Sequence, residues 1–88
     1  MVMTTYGMTR TENEIEALID SFAVEGYDGA STNAITAVVD YFSKKGIDFV
    51  YDEWELDNMT GSIANFAWVE DGKPRLVTFD VIYNRGYN

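Results

Sequence analysis

The sequence contains no cysteine and no histidine, and each absence excludes a class of chemistry. Without cysteine the chain cannot form disulfides or supply thiolate ligands to a metal. Without histidine it lacks the commonest general base, and Ser–His–Asp catalysis is excluded. The glycines match no phosphate-binding motif, and the carboxylates lack the spacing of a calcium loop. We therefore expect no catalytic residues, no metal site and no cofactor; an enzyme built on two facing carboxylates is the least favoured alternative.

Basic residues and long apolar runs are also scarce. Six Lys and Arg residues stand against 15 Asp and Glu residues, which gives a net charge of -9. Proteins that bind DNA or RNA directly neutralise phosphates with Lys and Arg, so direct nucleic-acid binding is not expected. No basic region precedes an apolar run, and no apolar stretch approaches the roughly 20 residues of a membrane span. We expect a cytoplasmic protein that does not enter the membrane.

What the chain does contain is apolar and aromatic. Hydrophobic residues make up 47% of the sequence, with two Trp, six Tyr and five Phe among 88 residues. A chain this apolar can bury a core despite its charge, which excludes disorder. Its length predicts a single small domain over residues 1–88.

A pattern of apolar residues occurs twice, 20 positions apart, in 11–28 and 31–48. The matching pairs are Asn13 and Asn33, Ile15 and Ile35, Ala17 and Ala37, Asp20 and Asp40, Phe22 and Phe42, Gly26 and Gly46, and Asp28 and Asp48. Each copy has the i, i+3, i+4, i+7 spacing of an amphipathic helix and ends at a glycine. The pattern predicts an antiparallel pair of helices at about 11–25 and 31–45, the first with a capping box from Thr11 to Glu14.

After residue 46 the apolar period changes from that of a helix to that of a strand. Alternation predicts strands at about 47–56, 62–70 and 75–83, and Asp71-Gly72 is a strong hairpin-turn signal. The alternation changes phase near Asp52-Glu53, which predicts a bulge or a strand end there. A weaker alternation over 2–6 is compatible with a short edge strand. The predicted fold is α+β in the order ααβββ, with a two-helix hairpin on one face of a three-stranded antiparallel meander.

The segment 48–57 is rich in acids and aromatics. One interpretation is a solvated strand edge, whose charges discourage pairing with another strand. The other is a docking surface, in which spaced carboxylates face a basic groove and aromatic side chains anchor the contact. Trp54 and Trp68 fit either a core or such a contact, and the core is favoured because small domains need large apolar side chains. The predicted partner-binding residues are Glu16, Asp20, Asp48, Tyr51, Asp52, Glu53, Trp54, Glu55 and Asp57.

A short, cysteine-free, acidic and aromatic-rich chain without catalytic groups resembles the small inhibitors that phages make against host defence nucleases, such as anti-CRISPR and anti-restriction proteins. This resemblance is one of size and composition and involves no motif. It implies a protein that occupies a basic nucleic-acid-binding site of a host nuclease complex by mimicking nucleic acid. The alternative is a structural or adaptor domain. Such a domain would form a homodimer or bind an apolar partner through the sheet face that two helices leave uncovered.

Overall fold

A computed structural model describes residues 9–56 and 60–83 of the chain. The predicted edge strand at 2–6 and the acid Asp57 lie outside these described residues. The elements are α1 (Arg10–Asp20), β1 (Ala30–Ser31), α2 (Asn33–Lys45), β2 (Phe49–Glu55), β3 (Gly61–Glu70) and β4 (Lys73–Ile82). The strands form one sheet in the order β1-β4-β3-β2, and both helices pack on the same side of it.

The α+β class and the two helices are confirmed, but the purely antiparallel three-stranded sheet is wrong. β1 lies between the helices in sequence and adds a fourth strand, which runs parallel to β4. It pairs Ala30 with Val81 and Ser31 with Ile82. Gly29 allows this approach, because a Cβ at that position would lie 2.9 Å from the backbone oxygen of Asp80. The connection between the helices is therefore held to the sheet edge.

The first helix begins and ends earlier than predicted. Thr9 is its N-cap: the Thr9 side chain accepts from the Glu12 N–H at 3.1 Å, and the Glu12 carboxylate accepts from the Thr9 N–H at 2.8 Å. The predicted capping box at 11 and 14 is thus wrong by two positions. At the other end the Ser21 hydroxyl donates to the Leu18 carbonyl at 2.6 Å, which competes with continued helix. Gly26 has φ +84° in the following turn and does not end the helix.

The second helix matches its prediction more closely. It starts at Asn33 and not at 31, because Ser31 belongs to β1. Gly46 ends it in the left-handed conformation, with φ +69°, as the pattern predicted. The sequence repeat is not a structural one, since Phe42 lies inside α2 whereas Phe22 lies beyond the end of α1.

Phe42 is the centre of the core and is completely buried. Its ring centroid lies 5.0 Å from that of Phe49, 5.2 Å from Trp68 and 6.0 Å from Phe66. Aromatic pairs at such distances contribute about 0.5–1.5 kcal/mol beyond the area they bury. One side chain of α2 therefore contacts both β2 and β3. The buried core comprises Ile15, Ile19, Ala30, Ala34, Val38, Phe42, Ala64, Phe66, Trp68, Val77, Phe79 and Val81.

The three long strands form an unbroken ladder. β2 pairs with β3 from Phe49 opposite Trp68 to Glu55 opposite Ser62, so the predicted bulge near residues 52 and 53 is wrong. β3 and β4 are joined by Asp71-Gly72, whose φ angles of +54° and +76° are those of the predicted tight turn. The observed bounds replace the predicted 47–56, 62–70 and 75–83.

Alternation along these strands gives the sheet two unlike faces. One face lies under the helices. We call the other the uncovered face; its residues are Val50, Asp52, Trp54, Ile63, Asn65, Ala67, Val69, Pro74, Leu76, Thr78, Asp80 and Ile82. Trp68 is 4% exposed beneath the helices, whereas Trp54 is 60% exposed on the uncovered face. The expectation that both tryptophans belong to the core is therefore wrong for Trp54.

The packing of Phe42 predicts a large effect of its removal. Phe42→Ala leaves a cavity among three aromatic rings and should lower the free energy of unfolding by about 3–5 kcal/mol, as measured by urea denaturation. Val50→Ala, at a position 69% exposed, is the matched control and should change it by less than about 0.5 kcal/mol. Equal effects of the two substitutions would contradict the assignment of Phe42 to the centre of the core.

Candidate partner-binding surface

The basic residues that the structure describes all lie towards one end of the molecule. We call it the turn end, because β3 and β4 are joined there. Arg10 starts α1, whose N-cap Thr9 donates to the Glu70 carboxylate at 2.9 Å. Lys44 and Lys45 are in the last turn of α2, which leads into the start of β2 opposite Trp68. The other two, Lys73 and Arg75, are in the first residues of β4.

Some of the acids towards the turn end are paired with these bases. The Arg10 guanidinium lies 3.2 Å from the Glu14 carboxylate, and the Lys44 ammonium lies 3.0 Å from Asp40. Both pairs are exposed, so they add little stability, but each neutralises a carboxylate locally.

A partly buried network joins α1 to the β3–β4 hairpin at the same end. Glu12 is 4% exposed and lies 3.7 Å from the Arg75 guanidinium. The indole N–H of Trp68 donates to the Glu70 carboxylate at 3.2 Å, beside the Thr9 hydroxyl. The carboxylates of Glu12 and Glu70 are therefore engaged in ion-pair and hydrogen-bond contacts within the fold.

The half of the molecule away from the turn, here called the far half, carries acids without described bases. It contains the end of α1, the turn before β1, the end of β2 and the end of β4. Its acids are Asp20, Glu25, Asp28, Asp52, Glu53, Glu55 and Asp80. None of them forms an ion pair with a Lys or Arg among residues 9–56 and 60–83. The negative charge is thus concentrated towards one end of the molecule.

Glu53 is the most constrained of these acids. It lies on the helix side of β2, where its carboxylate accepts from the Tyr51 hydroxyl at 2.7 Å and the Ser62 hydroxyl at 2.5 Å. The Tyr83 hydroxyl lies 3.4 Å from Glu53 and 3.5 Å from Glu55. This arrangement explains why the alternation of apolar and polar residues changes phase near Asp52-Glu53. An acid occupies an apolar-side position because hydroxyl groups there satisfy it.

The hydrogen bonds from Ser62 and then Tyr51 hold the pKa of Glu53 below its usual range, against the opposing effect of desolvation. Burial, and then the bond to Glu53, raises the pKa of Tyr51. Glu53 is therefore a fixed negative charge at neutral pH and is not suited to donate a proton in catalysis. Among the described residues, no group of three or more Asp and Glu side chains is arranged to hold a metal ion.

The structure divides the predicted partner-binding residues among several surfaces. Asp52 and Trp54 lie on the uncovered face; Tyr51, Glu53 and Glu55 lie on the helix side of β2; Asp48 precedes β2 at the turn end; Glu16 and Asp20 lie on α1. Glu16 is half-buried, and one of its carboxylate oxygens is buried without a hydrogen-bond partner among the described residues. The described part of this segment, residues 48–56, thus does not form one continuous surface.

The sequence predicts a sheet face that the helices leave uncovered, but it does not identify the residues that form the exposed apolar patch there. Val50, Ala67 and Leu76 are directly opposite one another on three adjacent strands, and Val69 lies two residues from Ala67. Val50, Val69 and Leu76 are 69%, 67% and 59% exposed. Their alternation was visible in the sequence, but their alignment depends on the register between strands.

Relatives do not supply a function for this surface. Comparisons with protein-family models, with curated proteins and with solved structures found no match to the chain. The longest described helix, α2, has 13 residues, and none in the described part of the chain is long and apolar enough to cross a membrane.

The Glu53 network predicts a pH-dependent contribution to stability. Because folding lowers the pKa of Glu53, its ionised form stabilises the fold above the ordinary carboxyl range, and this stabilisation is lost as the pH falls through the lowered value. Glu53→Gln should lower the free energy of unfolding by about 1.5–3 kcal/mol at about pH 7 and by clearly less at about pH 2.5.

Glu55→Gln is the matched control, because Glu55 is exposed and its hydrogen bonding to the described residues is limited to the long contact with Tyr83. It should change stability by less than about 0.5 kcal/mol at either pH. Urea unfolding of both variants checks this. A Glu53→Gln effect that is equal at both pH values would show that its carboxylate charge is not what the hydroxyls stabilise.

Proposed function

We propose that this protein is a non-catalytic, acidic inhibitor that binds a basic surface of another protein and blocks the nucleic-acid-binding site there. The observation that carries the proposal is the far half, with seven carboxylates and no described Lys or Arg. An electronegative region of this kind attracts a basic protein surface and competes with nucleic acid for it. Phage-encoded anti-CRISPR and anti-restriction inhibitors of host nuclease complexes are the proposed class.

Fixed positions of the charges support mimicry of nucleic acid. Glu53 and Glu55 are two residues apart on one strand, which sets their Cα atoms about 7 Å apart, a separation that resembles the spacing of phosphates along a nucleic-acid strand. Glu53 is held by hydroxyl groups, so less conformational entropy is lost when a partner binds it. Under this proposal the protein works by occlusion in the host cytoplasm and performs no chemical step.

A second candidate is an adaptor domain that dimerises or binds an apolar partner through the uncovered face. The exposure of Val50, Val69 and Leu76 on adjacent strands favours it, because contiguous apolar patches on soluble domains commonly mark interaction surfaces. In this candidate the net charge serves solubility only.

The inhibitor proposal predicts charge-dependent binding that nucleic acid reverses. Proteins from a bacterial lysate that bind the immobilised protein at about 50 mM salt should be released by about 500 mM salt, since screening weakens contacts between exposed charges. A short DNA duplex should also release them, because it would compete for the same basic site. Glu55→Gln with Asp80→Asn should reduce retention about tenfold, which corresponds to 1.4 kcal/mol.

Asp40→Asn with Asp71→Asn is the matched control, since it removes two exposed acids near the turn end and changes the net charge equally. This control should retain binding. Equal losses in both double variants would assign the effect to net charge alone. Retention that is insensitive to salt, or that the duplex does not reverse, would disprove the inhibitor function.

A further inference from the structure

The apolar patch on the uncovered face is large enough to receive part of another protein. Val50, Ala67 and Leu76 form a row across β2, β3 and β4, which spans about 10 Å at the usual spacing of strands. Val69 and Pro74 form the next row towards the turn end. Val50, Val69 and Leu76 are each more than half exposed, so no described element covers the centre of the patch.

The charges on this face have one sign. Asp52 lies in the row beside the apolar row, next to Asn65 and Thr78, which are joined by a 2.9 Å side-chain hydrogen bond. Asp80 lies one row further, next to Ile63. By alternation the basic residues of β4 belong to the helix side, and no described Lys or Arg lies on the uncovered face.

This charge pattern argues against a second copy as the occupant. Two uncovered faces placed against each other would bury Asp52 and Asp80 of both copies in an interface that supplies no described base, and with parallel strands these acids would face one another. Like charges at an interface cost several kcal/mol and reject a partner of the same sign. An apolar surface that carries Lys or Arg would instead match both the patch and its flanking acids.

We propose that the uncovered face binds an apolar protein segment whose basic residues contact Asp52 and Asp80. Successive rows of the sheet are about 7 Å apart, and Asp52 and Asp80 lie one and two rows from the apolar row. The basic residues of the partner would therefore lie about 7 and 14 Å from the partner's own apolar centre. The inference rests on the proposed function in that it supplies a contact surface for the same basic partner. It adds an apolar centre that charge mimicry alone does not require.

Trp54 strengthens this assignment. It lies directly opposite Ile63, whose other neighbour is Asp80, and it is 60% exposed. Asp52 lies two residues from Trp54 on the same face of β2, so a Lys or Arg of the partner that stacks on the exposed indole is also close to this carboxylate. Trp is also among the residue types enriched at the positions that dominate binding energy at interfaces.

The test uses two synthetic peptides and the isotope-labelled full chain. One peptide is a 14-residue amphipathic helix with leucines on one side and lysines at its borders; the control peptide has glutamate in place of every lysine. In NMR titrations, the lysine peptide should shift the backbone amide signals of β2, β3 and β4. It should bind at least about tenfold more tightly than the glutamate peptide, a difference of 1.4 kcal/mol.

Variants locate the contact. Val50→Ser with Leu76→Ser should lower the affinity for the lysine peptide about tenfold. The double variant should keep the NMR spectrum of the folded chain, because both side chains are exposed. Asp52→Asn should reduce the preference for lysine over glutamate. Tyr27→Ser, which changes an exposed aromatic residue in the turn before β1, outside the three strands that carry the patch, should leave binding unchanged.

Three results would overturn the inference. The first is equal affinity for the two peptides, and the second is a set of NMR signal shifts confined to the helices. The third is a concentration-dependent dimer, seen by light scattering, that the double variant Val50→Ser with Leu76→Ser no longer forms. The last would identify a second copy as the occupant.

Lysate capture separates this inference from the proposed function. If DNA-reversible capture is lost in Glu55→Gln with Asp80→Asn but survives Val50→Ser with Leu76→Ser, the inhibitor function stands and this contact surface is wrong. If the lysine peptide binds as described but duplex DNA does not reverse capture, the surface stands and the inhibitor function is wrong.

Discussion

The packing of Phe42 against the sheet determines which surfaces of this molecule are buried and which are exposed. Its ring meets Phe49, Trp68 and Phe66 at centroid distances of 5.0 to 6.0 Å, which places α2 over β2 and β3. α1 packs on the same side and completes one core. With only two described helices, both on that side, the opposite face of the sheet remains exposed to solvent. The surface available for binding is thus a direct consequence of how the core is filled.

The few basic residues serve the fold, and this leaves the rest of the surface negative. Lys44 and Lys45 lie at the C-terminal end of α2, where positive charge interacts favourably with the helix dipole. Arg75 is largely buried beside Glu12 and helps to join α1 to the hairpin. Because these structural positions are all near the turn end, the acids of the far half have no described cation beside them. An uneven charge distribution therefore arises from ordinary requirements of helix ends and a buried carboxylate.

Local patterns predicted the elements whose causes are local. The apolar stripe and Gly46 defined α2, and Asp71-Gly72 defined the β3–β4 turn. Two features that the local pattern did not predict, β1 and the position of Glu53, depend on distant residues. β1 has only two residues and exists because they pair with β4. The bulge predicted at Glu53 is wrong because two of its three hydroxyl partners, Ser62 and Tyr83, are distant in the sequence.

The short parallel strand has a consequence for the order in which the chain folds. β2, β3 and β4 are sequential neighbours, so their pairing closes short loops, whereas Ala30 must find Val81 about 50 residues later. Contacts between residues so distant in sequence form slowly, and regions held by few hydrogen bonds exchange their amide protons first. We therefore expect the meander with α2 to form first, and the α1–β1 segment to dock on it last and to detach from it first.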